Sequence, residues 1–349
     1  MVSVSVAMAT FNGQKHIQRQ LESLAAQTRI PTELVVSDDG SKDNTLAIIQ
    51  AFAKTASFPV KVYQNETRLG YRGNFMRAAS RCQSELIAFC DQDDSWYPHK
   101  IAVSVRPFAD PEVVLVYHNA DVVTDEGERL GTLIGRATRQ PILKPLAAGP
   151  FLPFALGFTE VFRRTLIKFS DLWPNSYDPD DPSQPLGHDQ WVFFLANVFG
   201  VITYLDEPLA AYIQHGTNTY GWRKANIRES FRSHILERSN VYWHYAKAGE
   251  NRATILEVAK GYVDGVWQER AAIATEYFRK VSWLFAQRYA LYTSATLSDR
   301  LRAFRTILGD GGYAGTWGFG QKALVADIFL GILIGKFLRS RSTGYSSSG

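Results

Sequence analysis

Residues 85–94 read Glu85-Leu86-Ile87-Ala88-Phe89-Cys90-Asp91-Gln92-Asp93-Asp94. The short apolar run predicts a strand over Glu85–Cys90, and it ends in three carboxylates within four residues. Carboxylates crowded at the end of a buried strand repel one another and lose hydration, so such a cluster is normally stabilised by a cation. Oxygen donors of this kind suit Mg²⁺ or Mn²⁺, which bind through one or two carboxylates plus substrate phosphates. The bland reading is an acidic turn that caps a helix starting near Tyr97. Placement directly after the strand favours the cation.

Upstream, the same rhythm recurs. Val2–Met8 reads as a strand, Gln14–Gln27 as a helix, Glu33–Ser37 as a strand and Asp43–Ala53 as a helix. Val60–Tyr63 reads as a strand and Asn74–Arg81 as a helix. This alternation argues for an α/β fold with a mainly parallel sheet flanked by helices. Ligands of such sheets sit beyond the strands' carboxyl ends, and three polar clusters lie there: Ala9–Asn12, Asp38–Ser41 and Asp91–Asp94. In Asp38-Asp39-Gly40-Ser41 either acid could accept the imide N–H of a pyrimidine base, while Ser41–Asp43 serve the turn.

Downstream the rhythm loosens. Val113–Tyr117 and Asp121–Val123 read as strands and Glu160–Phe169 as a short helix. Asp178–Pro185 reads as a Pro/Asp loop, His188–Phe199 as an aromatic-rich helix, and Val201–Leu205 and Leu209–Ile213 as strands. Asp189 opens a helix after an irregular loop. It is placed either to take a proton from a substrate hydroxyl or to compensate the helix N-terminus. His215 follows a strand, and reads as a metal or diphosphate contact or as a surface histidine.

Composition bounds the answer. The 349 residues are 46% hydrophobic and 21% charged, which excludes collagen, coiled coil and wholesale disorder. Net charge is +4, unevenly spread: residues 1–220 hold 19 Lys+Arg against 24 Asp+Glu, and residues 221–349 hold 19 against 10. An acidic part followed by a basic one suggests two units with different jobs, the alternative being a solvated basic face. The two cysteines, Cys82 and Cys90, form neither a disulfide framework nor a metal spacing and fit a reducing cytoplasm. The opening MVSVSVAMATFNG lacks the basic and long apolar regions of a signal peptide. Zincin, nucleophile-elbow, Walker A and G-x-G-x-x-G patterns do not occur.

Taken together, these residues resemble glycosyltransferase family 2, with its nucleotide-sugar-binding GT-A fold. The matching run is Ala9–Gly13, Ser37–Thr45, Asn65–Phe75 and Phe89–Pro98, then His188–Trp191, Asp206–Leu209 and Gln214–Asn218. The wording around Asp91 and the Gln214-His215-Gly216-Thr217-Asn218 ending most resemble the rhamnosyltransferase-like branch, which builds O-antigen and other cell-surface polysaccharides. The resemblance implies a GT-A catalytic domain over residues 1–221. In it Thr10, Asn12 and Asp39 meet the nucleoside, Asp91 lies near ribose and metal, Asp93 binds the metal, and His215 contacts the metal or diphosphate. Asp189 matches the catalytic base. Arg72, in the Gly70–Asn74 loop, is read as a diphosphate partner. Where the family often has Glu-Asp or Asp-Asp at the base motif, this chain has His188-Asp189, leaving His188 as an orienting group.

The implied activity is an inverting, metal-dependent transfer, with Mg²⁺ or Mn²⁺, from a dTDP- or UDP-sugar, first L-rhamnose from dTDP-rhamnose. The acceptor is a saccharide or a polyprenyl-linked saccharide. The competing class is a non-catalytic carbohydrate-binding or scaffold protein that keeps the fold, against which the intact acid set speaks. A nucleic-acid partner finds no motif. Residues 222–338 read as a helical region for a membrane surface or for homo-oligomerisation, and residues 339–349 as a disordered tail. Ala323–Gly335 is too short to span a bilayer. Leu324–Leu338 carries Phe329 and Phe337 and is flanked by Lys322, Lys336, Arg339 and Arg341. It reads equally as an interfacial segment on anionic lipid and as a buried helix. The expected location is cytoplasmic, peripheral at the inner face of the membrane.

Overall fold

A computed structural model describes residues 2–135, 141–147, 149, 155–215, 231–314 and 318–334, with the side chains of 231–238 and 334 left aside. The described residues form two compact units. One is drawn from Met1–Ala148, Pro153–Pro174 and Leu186–Lys224, the other from Gly149–Leu152, Asn175–Pro185 and Ala225–Gly349. The boundary expected near Trp222 and the tail 339–349 lie outside the described residues.

The first unit runs β1 (Val4–Thr10), α1 (Ile17–Ala25), β2 (Glu33–Asp38), α2 (Thr45–Ala53), β3 (Val60–Gln64), α3 (Gly70–Ser80) and β4 (Leu86–Cys90). It continues through β5 (Ser95–Trp96), α4 (Lys100–Ser104), β6 (Val113–Thr124), β7 (Arg129–Thr132), β8 (Ile142–Leu143) and β9 (Glu160–Arg163). A 3₁₀ stretch (Arg164–Asn175), α5 (His188–Phe199) and β10 (Val201–Gln214) complete it. The strands form one sheet in the order β3-β2-β1-β4-β9-β6-β10-β5, with β7 on β6 and β8 on β10. The α/β class is the expected one, and β3-β2-β1-β4 is parallel throughout. Every residue of β1, β2 and β4 is buried, because helices cover both faces. Val4, Val6 and Met8 pack with Ile17, Leu21, Leu24, Leu34, Val36 and Ile49 into the main core.

Three local expectations change. Glu160–Phe169 is not a short helix: Glu160–Arg163 is a strand held antiparallel between β4 and β6, and helical structure begins only at Arg164, as 3₁₀ turns. A four-residue strand carries too little periodicity to outvote the helical spacing after it, and its identity comes from two neighbours distant in sequence. The two pieces read in Val113–Val123 are one 12-residue strand. The two in Val201–Ile213 are one 14-residue strand, with register shifts on either side of Pro208, where the missing N–H breaks the ladder.

The second unit holds α6 (Phe231–Ala259), α7 (Gly265–Thr293), α8 (Leu297–Gly309) and α9 (Gly320–Ala326), and α9 continues as a π-helical segment, Asp327–Ile334. Two apolar clusters hold it: Leu284, Leu291, Ala303, Ile307 and Tyr313, and Tyr242, Ala246, Val281 and Phe285. Asp327 is fully buried. It accepts both Arg288 N–H groups at 2.9 and 2.8 Å and the hydroxyls of Tyr292 and Tyr313 at 2.7 Å each. The buried Arg300 donates to the carbonyls of Gly331 and Ile332. The apolar segment therefore packs inward along its Asp327 face. Val325, Phe329 and Leu333, spaced four apart on the other side, are each more than half exposed. Lys336, Phe337, Arg339 and Arg341 lie outside the described residues. No described helix is long and apolar enough to cross a membrane.

Candidate active site

The site is built where β1, β2 and β4 end. Asp38 spends its carboxylate on the turn: Oδ1 accepts the N–H groups of Gly40 (3.1 Å) and Ser41 (2.9 Å), and Oδ2 accepts the hydroxyls of Thr10 (2.9 Å) and Ser41 (2.5 Å). Four bonds leave it no lone pair for a ligand. Asp39 accepts from Asn65 Nδ2 (3.0 Å) and Leu69 N–H (2.7 Å) on Oδ1, and from Gly70 N–H (2.9 Å) on Oδ2. It thereby caps the start of α3 from a neighbouring strand, where Gly70 holds φ +70°, and its Oδ2 keeps a lone pair. Of the two acids, Asp39 is the one whose hydrogen bonds from the described residues leave a carboxylate lone pair over. The Arg68 guanidinium lies 3.9 Å from Asp39 and 4.0 Å from the centre of the Phe11 ring.

The loop after β1 is stapled to the same turn. The N–H groups of Asn12, Gly13 and Gln14 donate to Ser41 Oγ (2.9 Å), Thr45 Oγ1 (2.8 Å) and Asp43 Oδ2 (3.1 Å). Asn12, at φ +48°, accepts Lys42 N–H on its side-chain oxygen at 2.9 Å. Thr10 is buried, and its carbonyl accepts from Asn74 Nδ2 at 3.1 Å. Thr10 and Asn12 thus shape the loop. Gln92, between the site acids, bonds the Phe11 backbone in both directions, at 3.0 and 3.1 Å. A Cβ on Gly13 would stand 2.2 Å from Gln92 Oε1, so only glycine admits this tie.

Asp91, Asp93 and Asp189 open onto one cavity of about 120 Å³, walled by Tyr71, Phe75, Leu156, Gly157, Phe158, His188 and Tyr212. Burial, then the charges of Asp93 and Asp189, pushes Asp91 up to about 8. Burial, then Asp91 and Asp93, pushes Asp94 well above the usual carboxylate range. Asp94 Oδ1 accepts Ile213 N–H at 3.2 Å, while its Oδ2 has no partner among the described residues. His215 Nε2 is 3.0 Å from Asp93 Oδ2, and its ring stacks on His16 with centroids 4.3 Å apart. Asp189 sits in the first turn of α5 and accepts the N–H of Gln190 at 2.8 Å. Burial pushes it up to about 6, against the pull of backbone N–H groups, Gly157's among them, and of the Arg72 charge.

The structure thus brings Asp91, Asp93, Asp189 and His215 together, with Thr10, Asn12 and Asp39 in the adjoining loops. Arg72 is buried on α3, donates from Nε to the Tyr71 hydroxyl at 2.9 Å, and sets its charge beside Asp189 and His188. Three features of the site escape a reading of the sequence. Gln92 looks there like mere filler between two acids. Glu160 lies in a segment with helical spacing; it is fully buried, neither carboxyl oxygen has a partner among the described residues, and burial, then the Asp189 charge, pushes it well above the usual carboxylate range. Lys100 is fully buried, donates to His118 Nε2 at 2.8 Å and to the Phe158 carbonyl, and so ties down the turn that walls the cavity. Burial brings Lys100 down to about 7. Its sequence signal is its place in the run Trp96-Tyr97-Pro98-His99-Lys100.

A crossover sheet with acids at the ends of β2 and β4 and another at the head of α5 defines a nucleotide-sugar-binding GT-A unit. The family model "Glycosyl transferase family 2" matches residues 5–169. A dTDP-rhamnosyl transferase of Shigella flexneri, RfbG, is 30% identical over 234 residues, covering 63% of this chain and 74% of that protein. An uncharacterized glycosyltransferase of Nostoc is 28% identical over 227 residues, covering 63% of this chain and 67% of that one. Matching mycobacterial proteins are spanned over 59% of their length. A crystal structure of Staphylococcus aureus TarS with UDP aligns over 99% of this chain and 93% of that chain, at 16% identity and a TM-score of 0.47. The chain belongs to glycosyltransferase family 2.

Proposed function

We propose that the chain is an inverting glycosyltransferase that moves a sugar from a nucleoside-diphosphate donor to a saccharide acceptor in cell-surface polysaccharide synthesis. The observation that carries this reading is the opening of Asp91, Asp93 and Asp189 onto one cavity. L-Rhamnose from dTDP-rhamnose is the first donor to test, on the strength of the Shigella relative's name. Asp39 accepts the base imide on Oδ2, Thr10 and Asn12 hold the nucleoside loop, and Asp91 faces the ribose. Asp189 takes the acceptor hydroxyl's proton as that oxygen attacks the anomeric carbon from the face opposite the leaving diphosphate. The charge of Arg72 beside Asp189 favours the ionised carboxylate, against the larger upward push of burial. Attack from one face needs no covalent intermediate, so one base suffices. A non-catalytic reading leaves the buried, raised Asp189 and the unpartnered Asp94 oxygen unexplained.

A divalent ion fits this donor set. Asp93 and His215 would hold it, with Asp91 close by, and the orphaned Asp94 oxygen and mutually repelling acids mark a place built for positive charge. Among the described residues no group of three or more His, Cys, Asp or Glu is placed to hold a metal ion. Mg²⁺ or Mn²⁺ would then take its remaining oxygens from the donor diphosphate and water. Such an ion, when bound, neutralises charge on the leaving diphosphate. Asp93→Ala is expected to abolish the stimulation of nucleotide release by Mn²⁺ or Mg²⁺ while leaving the circular dichroism spectrum unchanged. Undiminished stimulation, or full wild-type activity in a chelator, would remove the metal role.

The exposed stripe Val325, Phe329 and Leu333 supports apposition to a membrane carrying a polyprenyl-linked acceptor. The doubly substituted Val325→Glu/Phe329→Glu protein is expected to lose co-flotation with vesicles containing anionic lipid. Equal flotation of variant and wild type would reject the anchor.

A further inference from the structure

His188 occupies a place that nothing else in the chain exploits. It is buried at 5% exposure beside Asp189, and it lines the same cavity. Its ring stacks face to face on Phe75, with centroids 3.9 Å apart and planes within 15°. Phe89 and Tyr71 meet it edge-on at 4.7 and 6.4 Å. Three aromatic rings therefore fix the imidazole plane. Yet neither Nδ1 nor Nε2 has a hydrogen-bond partner among the described residues. Gly157 leaves open the space beside Nε2: a Cβ there would lie 2.4 Å from that nitrogen. A buried polar group without a partner costs about 1–3 kcal/mol, so a rigidly held pair of orphan nitrogens on a cavity wall is organised for a ligand that supplies the partner.

We propose that His188 is a sugar-reading residue: its imidazole hydrogen-bonds a pyranose hydroxyl in the cavity while Tyr71, Phe158 and Tyr212 face the sugar's apolar surface. This deepens the glycosyl-transfer reading and rests on it. A neutral imidazole offers one N–H donor and one nitrogen acceptor, which matches a hydroxyl that both accepts and donates. Burial, then the Arg72 charge, brings His188 down to about 3, so the ring stays neutral throughout the working range. The absence of a bond between His188 and Asp189 argues that His188 does not act by orienting the base.

Two sources of the hydroxyl, the donor sugar and the acceptor sugar, are separated by experiment. His188→Phe keeps the stack on Phe75 and deletes both nitrogens, and His188→Gln restores one donor and one acceptor. Binding of dTDP, of dTDP-rhamnose and of other dTDP- and UDP-sugars is measured by calorimetry alongside donor and acceptor KM. The Phe variant is expected to bind the nucleoside diphosphate as wild type does. With a donor-sugar hydroxyl, it binds the sugar nucleotide about tenfold more weakly. With an acceptor hydroxyl, donor binding is unchanged and the acceptor KM rises about tenfold. In either case the Gln variant recovers part of the loss. Should His188→Phe fail to fold, Gly157→Ala places a methyl against Nε2 and is expected to give the same selective loss. Donor binding and acceptor KM both at wild-type level would overturn the role of His188 and leave the glycosyl-transfer reading standing. A wild-type protein that neither binds nor hydrolyses any sugar nucleotide overturns both.

Discussion

Asp189→Asn is expected to lower turnover by about 10²–10⁴-fold, measured as release of nucleoside diphosphate in the presence of acceptor. The amide keeps the volume and can still accept from the Gln190 N–H, so nucleotide binding and thermal stability should barely move. What is lost is a carboxylate able to take a proton. The pH profile checks the assignment independently. Burial holds Asp189 up at about 6, with Gln190 and Gly157 N–H groups and Arg72 pulling the other way. A base works only when ionised. Wild-type kcat/KM should therefore rise about tenfold per pH unit below about pH 6. The residual activity of Asp189→Asn should lack the limb altogether. Near-wild-type turnover, or an unchanged acid limb in the variant, would sink the assignment.

Asp327→Ala is expected to have the largest effect on stability, about 3–5 kcal/mol, read from the thermal or denaturant transition of the C-terminal helices. The loss goes beyond one ion pair. Arg288 would be left as a buried cation without its anion, and two tyrosine hydroxyls would lose their acceptor. Asp327→Asn should fall between wild type and Ala, because an amide oxygen still accepts from some of these donors while the charge is gone. A transition unmoved in Asp327→Ala would show that the cluster is solvated in solution.

Much of the site is legible in local pattern. A buried strand must end somewhere, and the acids placed where β2 and β4 end announce a ligand face without any partner strand being known. Asp91 and Asp93 stand out in this way, although the contact between Asp93 and His215 joins residues 122 apart in sequence. The division of labour between Asp38 and Asp39 cannot be read so. The two are chemically identical neighbours, and only the count of donors facing each one separates them. Glu160 escapes for a related reason. Its strand exists because β4 and β6 present unpaired edges on either side of it, and nothing in the four residues Glu160–Arg163 records that.

The basic C-terminal part shows the same limit. Its apolar segment reads equally as interfacial and as buried, and each reading describes one face. Asp327 turns inward to Arg288, a residue 39 positions upstream, while Val325, Phe329 and Leu333 stay outside.

By itself, then, the order of residues determined the α/β class, the polar clusters at the strand ends, and the family. Those properties reside in short-range periodicity and in residue type, which need no distant partner. Only the tertiary structure decided which acid is spent on a turn, which buried groups lack partners, that β9 runs against its neighbours, and that His188 stands beside Asp189 with two idle nitrogens. Each of these depends on what comes to lie across from a residue, and that is a property of the packed chain.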